Sequence, residues 1–124
     1  MYICKIDIEK YRCITQDIIS DEVIITDKQI AHIRERHPND FERFSCFFEE
    51  IVKAPDYILK ANRPNTALIL KKVSIGGEVC KTVLRLAASS DNPEYKNSIL
   101  TFMRINEKDW NRLIKNKIVL YKRE

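Results

Sequence analysis

The sequence predicts an α+β fold in which helices pack on one face of a mainly antiparallel sheet. Three observations predict it. Helix signals are concentrated between Thr26 and Val52, strand signals between Thr66 and Ile105, and a Gly76–Gly77 step interrupts the strand-rich region as a hairpin turn would. Elements ordered in this way argue for helices packed on one face of a mainly antiparallel sheet. The 124 residues fit one domain, 1–124, and 44% hydrophobic residues are enough for its core.

From the start of the chain, Tyr2, Cys4, Ile6 and Ile8 alternate with Lys5 and Asp7, which predicts a half-buried strand over Met1 to Ile8. Ile14 to Ile19 has no decisive pattern. Val23 to Ile25 is a short apolar run leading into a helix with its own start and stop signals. Thr26 and Gln29 have the spacing of a capping box, and Ile25 and Ile30 that of a hydrophobic staple. Pro38 disfavours helical geometry at His37 and marks the stop, which gives a helix of about ten residues. Asp40 is a suitable cap for a second helix, in which Phe41, Phe44, Phe48, Ile51 and Val52 recur at helical spacing up to Ala54–Pro55. The apolar stripe marks this as the core helix.

Tyr57 to Lys60 is a candidate short strand, and Asn62 to Asn65 a turn cluster. Thr66 to Ile75 and Glu78 to Ala88 flank the two glycines as hairpin strands. Ser89 to Asn97 is a polar loop, and Ser98 to Ile105 a third long strand. Asn106 caps a last helix with Trp110, Leu113 and Ile114 on one face, and Ile118 to Tyr121 closes the series as a strand. Phe44, Phe48, Ile51 and Trp110 are expected to be buried against the sheet.

Chemistry is concentrated on the capped helix, which holds both histidines, His32 and His37, beside Arg34 and Arg36. Ile30, Ile33 and His37 share one stripe, whereas His32 and Arg36 lie on another face. Histidine exchanges protons near neutral pH and arginine grips phosphate oxygens, so the cluster suits acid–base work on a phosphate ester. The same residues also describe a solvated helix with a capping histidine. A two-residue Gly76–Gly77 turn places Lys72 opposite Lys81 and Leu68 opposite Arg85. Opposed lysines repel unless they spread into water or hold an anion between them. On the third strand, Ser98 and Thr101 fall on opposite faces of a regular ladder, so sharing a site requires a bulge or a strand that starts after Ser98.

Several function classes have no matching pattern. The histidines, five apart, lack HExxH spacing and have no acidic pair with them. The only glycines are Gly76 and Gly77, so there is no glycine-rich phosphate loop. No metal or cofactor is expected. The cysteines Cys4, Cys13, Cys46 and Cys80 form no CxxC, and mostly packed, reduced thiols are the default. Neither a membrane-spanning run nor a signal pattern is present, so a cytoplasmic location is expected. With 22 Lys+Arg against 18 Asp+Glu the net charge is +4, compatible with a polyanionic partner and equally with a solvated basic surface.

HIRERHP on a capped helix, an apolar helix ending in PDYI, a β meander and then YKNSILTFMRI together resemble the phage- and mobile-element-borne nucleases of the barnase–EndoU–colicin–RelE-like (BECR) superfamily. The resemblance spans about Thr26 to the end of the chain. It implies N-terminal helices against a four- or five-stranded antiparallel sheet, and metal-independent RNA cleavage by 2′-hydroxyl attack that leaves a 2′,3′-cyclic phosphate. By this resemblance His32 is the general base or acid, with Arg36 and His37 the basic pair after it; His37, from its position at the helix end, is the second choice for the base. Ser98 and Thr101 match hydroxyl positions, and Lys72, Lys81, Arg85 and Arg104 are candidate phosphate or RNA contacts. RNA is the expected partner, with an immunity or antitoxin protein as a second one if the chain is a toxin or mobile-element effector. The competing expectation is a catalytically silent RNA-binding or protein-interaction module. The two separate on whether a histidine shares a concave surface with the sheet cations and hydroxyls.

Overall fold

The computed structural model describes residues 1–124. Seven strands form one sheet in the order β1-β2-β6-β5-β4-β3-β7: β1 (Tyr2–Lys5), β2 (Glu22–Ile24), β3 (Tyr57–Lys60), β4 (Thr66–Lys72), β5 (Val79–Arg85), β6 (Asn97–Ile105) and β7 (Val119–Lys122). All pairings are antiparallel except β2 with β6, which is parallel through Val23–Asn97 and Ile24–Ser98. The sheet is therefore mainly antiparallel as expected, but wider than four or five strands. The extra width comes from the short strands β1, β2 and β7.

Five α-helices are present: α1 (Ile8–Tyr11), α2 (Asp27–Arg36), α3 (Asp40–Phe44), α4 (Phe48–Lys53) and α5 (Glu107–Asn116). The expected first strand stops at Lys5, because Asp7 caps α1 by accepting the Glu9 N–H. α2 has the ten residues and the reciprocal Thr26–Gln29 capping box that its sequence specifies. The expected single helix from Asp40 to Val52 is instead α3 and α4 joined by a 3₁₀ turn, Ser45–Phe47. Its N-cap is Asn39, in the left-handed region at φ 72°, rather than Asp40. Asp40 is the first helical residue, and its carboxylate accepts the Arg104 N–H at 3.2 Å.

Two apolar clusters sandwich the sheet. On one face Ile30 and Ile33 of α2, Phe41 and Phe44 of α3, and Phe48, Ile51 and Val52 of α4 pack over Ile69, Leu84, Ile99 and Phe102. Phe48 is fully enclosed, with ring centroids 5.2 Å from Phe102 and 5.9 Å from Phe41. On the other face Trp110, Leu113 and Ile114 of α5 cover Leu59, Leu68 and Leu70. The expectation that Trp110 joins the phenylalanines is thus corrected: it is half-buried on the opposite side, edge-on to Tyr57. Helices on one face describes α1 to α4, whereas α5 takes the second face because it leaves β6 on that side.

The hairpin register also differs from expectation. Lys72 pairs with Val79, Leu70 with Lys81 and Thr66 with Arg85. The Val73 N–H donates to the Glu78 carbonyl at 2.9 Å, so Ser74 to Gly77 form the loop, with both glycines at positive φ. Glu50 draws Ser74 out of the strand by accepting from its N–H at 3.0 Å and its hydroxyl at 2.7 Å. The slip is two residues, an even number, so Lys72 and Lys81 share a face but sit diagonally rather than opposite. All four cysteines are free, with Cys4 and Cys80 buried as expected and Cys13 and Cys46 exposed, contrary to mostly packed thiols. No helix is long and apolar enough to cross a membrane.

Candidate active site

β6 carries an irregularity that decides which of its side chains meet. Thr101 pairs with Val83, but the next pair is Ile99 with Leu84, followed by Ser98 with Arg85. Leu100 is therefore an extra residue, a β-bulge, and it restores Ser98 and Thr101 to the same face as Val83 and Arg85. This is the bulge that a shared role for the two hydroxyls demands.

That face is open where α5 does not reach, and two adjoining cavities form a groove there. The first, about 400 Å³, brings His32 of α2 to Thr101 and Leu100 of β6, with Arg63 and Lys117 at its wall. The second, about 690 Å³, brings Ser98 and Arg85 to Gln29, Arg63 and Tyr95. Arg63, Thr66 and Leu100 line both. His32 reaches this face because β2 pairs only with Asn97 and Ser98, and α2 packs against β6 beyond them. Ile30 and Ile33 then point into the core, and His32 is left exposed on the other side of the helix.

Of the residues expected at the site, the groove brings together His32, Thr101, Ser98 and Arg85. Arg85 is committed: it donates to the Leu86 carbonyl and, at 3.1 Å, to Asp91, whose other oxygen accepts the Ala88 N–H. His37 and Arg36 lie at the end of α2, His37 as a half-buried cap whose N–H donates to the Ile33 carbonyl, and neither lines the groove. Lys72 is at the far end of the hairpin near Asp56, Trp110 and Arg123. Lys81 shares the groove's face of the sheet but is half-buried between Leu70 and Met103. Arg104 is on the reverse face, six residues along β6 from Ser98 and so about 20 Å away, 3.7 Å from Glu78.

Arg63, Lys117 and Tyr95 were missed by the sequence reading. Arg63 sits in the Asn62–Asn65 turn cluster, is exposed and enters no ion pair of the chain. Lys117, the C-cap of α5, donates to the Asn62 side chain at 3.2 Å. Tyr95 lies in the polar loop before β6. A basic residue inside a turn cluster and an aromatic inside a polar loop are the local signals that could have found Arg63 and Tyr95. The groove therefore holds an imidazole, two hydroxyls on one strand and an uncommitted guanidinium, a set suited to moving a proton and neutralising an anionic oxygen.

No curated protein and no solved structure matches the chain. A family model, phage-Barnase-EndoU-ColicinE5/D-RelE like nuclease 2, matches residues 4–122, which takes in every helix and strand of the groove. With nearly the whole chain covered, this protein belongs to that phage-associated nuclease family.

Proposed function

We propose that the chain is a metal-independent ribonuclease acting through the groove between α2 and β6. The observation that carries this reading is the β6 bulge, which sets Ser98 and Thr101 on one face, Thr101 lining a chamber with His32 and Ser98 lining the adjoining one. His32 takes the proton from a ribose 2′-hydroxyl, whose oxygen attacks the neighbouring phosphorus. The bond from phosphorus to the 5′-oxygen breaks, and the imidazolium returns a proton to that oxygen. The products are a 2′,3′-cyclic phosphate and a free 5′-hydroxyl. Thr101 and Ser98 donate to the non-bridging oxygens as their charge grows, and Arg63, placed between the two cavities, neutralises it. Arg85, held by Asp91, braces the wall. Such an enzyme would serve a phage or mobile element as an effector, with an immunity or antitoxin protein to restrain it in its own host.

The test is to incubate the purified chain with mixed RNA in excess chelator and analyse the new ends. Cleavage with cyclic-phosphate and 5′-hydroxyl termini is the expected result. Strict dependence on added magnesium would overturn the scheme. RNA bound without cleavage, with a steep salt dependence, would replace it with the binding-module reading.

A further inference from the structure

We infer that the larger chamber of the groove is a nucleobase subsite, with the Tyr95 ring as its stacking platform. The inference rests on the ribonuclease reading and specifies how that enzyme would select its cleavage position. Tyr95 is 57% exposed and faces a chamber of about 690 Å³. Its loop is braced throughout. The Tyr95 N–H donates to the Asn92 carbonyl at 2.8 Å, the Glu94 N–H to the Asn92 side chain at 2.9 Å, Asp91 is held by Arg85, and Lys96 pairs with Glu22. With the loop backbone already fixed, stacking on the Tyr95 ring has only the ring's own two torsions left to order.

Charge indicates what the chamber accepts. Two of its cations are already neutralised, Arg85 by Asp91 and Lys96 by Glu22, and Glu94 adds a carboxylate that enters no ion pair. Away from Arg63 and Ser98 the chamber therefore offers no unpaired cation to a second phosphate, and it suits an uncharged planar group better. At the chamber's edge Gln29 offers its amide N–H₂, because its carbonyl oxygen accepts the Thr26 N–H. Arg63 is shared with the His32 chamber, so a phosphate gripped at Arg63 leaves an adjoining base within reach of Tyr95.

The experiment measures the affinity of the full chain for a single-stranded 2′-O-methyl oligoribonucleotide, which has no attacking hydroxyl, and for versions with an abasic residue at each position in turn. Tyr95→Ala is expected to weaken binding roughly 5- to 150-fold, the usual worth of one stacked base. Tyr95→Phe is expected to keep the affinity, and at one abasic position wild type and Tyr95→Ala become equal. Wild-type affinity in Tyr95→Ala, an equal loss at every abasic position, or no binding by wild type would each overturn the subsite. If RNA is cut and Tyr95→Ala changes neither kcat/KM nor binding, the subsite falls and the ribonuclease reading stands. If RNA is not cut but the Tyr95 dependence appears, the ribonuclease reading falls and the base subsite remains.

Discussion

His32 and His37 are on the same short helix, yet only His32 opens onto the groove. His32→Ala is therefore expected to lower the cleavage rate about a hundredfold or more, and His37→Ala to leave kcat/KM unchanged, both read with a melt that confirms folding. Thr101→Ala, which removes the hydroxyl beside His32 that is proposed to meet the phosphate, is expected to cost about a hundredfold in kcat. Lys72→Ala and Arg104→Ala, far from the groove, should not slow the reaction. The histidine helix was legible in the sequence because its cap, staple and stripe are all local. Arg63 was not, because nothing in a turn of four residues reveals that it will stand between two cavities built from residues far away in the chain. Glu50 supplies a pH test of the fold. Burial pushes its carboxyl up, but the Ser74 hydroxyl and N–H and the nearby Lys71 outweigh this and hold it below its ordinary value of 4.5. A depressed carboxyl contributes stability that is present above its unfolded value and lost as pH falls through the folded one. Urea melts should therefore weaken below about pH 4.5 in wild type, and by less in Glu50→Gln.

At the scale of elements, Phe48 anchors the phenylalanine cluster against β6, and Phe48→Ala is expected to cost about 3 kcal/mol in a denaturant titration. Periodicity showed this cluster plainly, but not the 3₁₀ turn that divides its helix. The hairpin shows which information a local pattern holds. The two glycines signalled a turn at the right place, and the expected side-sharing of Lys72 with Lys81 holds because the slip is even. The register depended on Glu50, more than twenty residues upstream, whose bonds to Ser74 lengthen the loop. Likewise, the parallel pairing of β2 with β6 joins Val23 to Asn97, a contact too distant in sequence for any short-range signal to announce.

At the scale of the whole molecule, α5 and the groove divide one face of the sheet between them. α5 seals the end formed by Leu59, Leu68 and Leu70 and leaves the end at Ser98 and Thr101 open. The net charge of +4 is small, and Arg63 is uncommitted within the groove, so RNA affinity should depend on a few local contacts. Arg63→Ala is expected to flatten the plot of log affinity against log salt by about 0.7, the share of a single contact to single-stranded nucleic acid.

The Leu100 bulge also bears on how such a chain can change through descent. Elsewhere in β6, gaining or losing one codon would send every later side chain to the wrong face. At Leu100 the ladder already absorbs an unpaired residue, so losing that codon would leave Ser98 opposite Arg85 and Thr101 opposite Val83, still on one face and at the spacing that β5 sets. Leu100 is thus the one position in β6 where a single-codon deletion spares the pairing and alters only the groove wall that Leu100 lines.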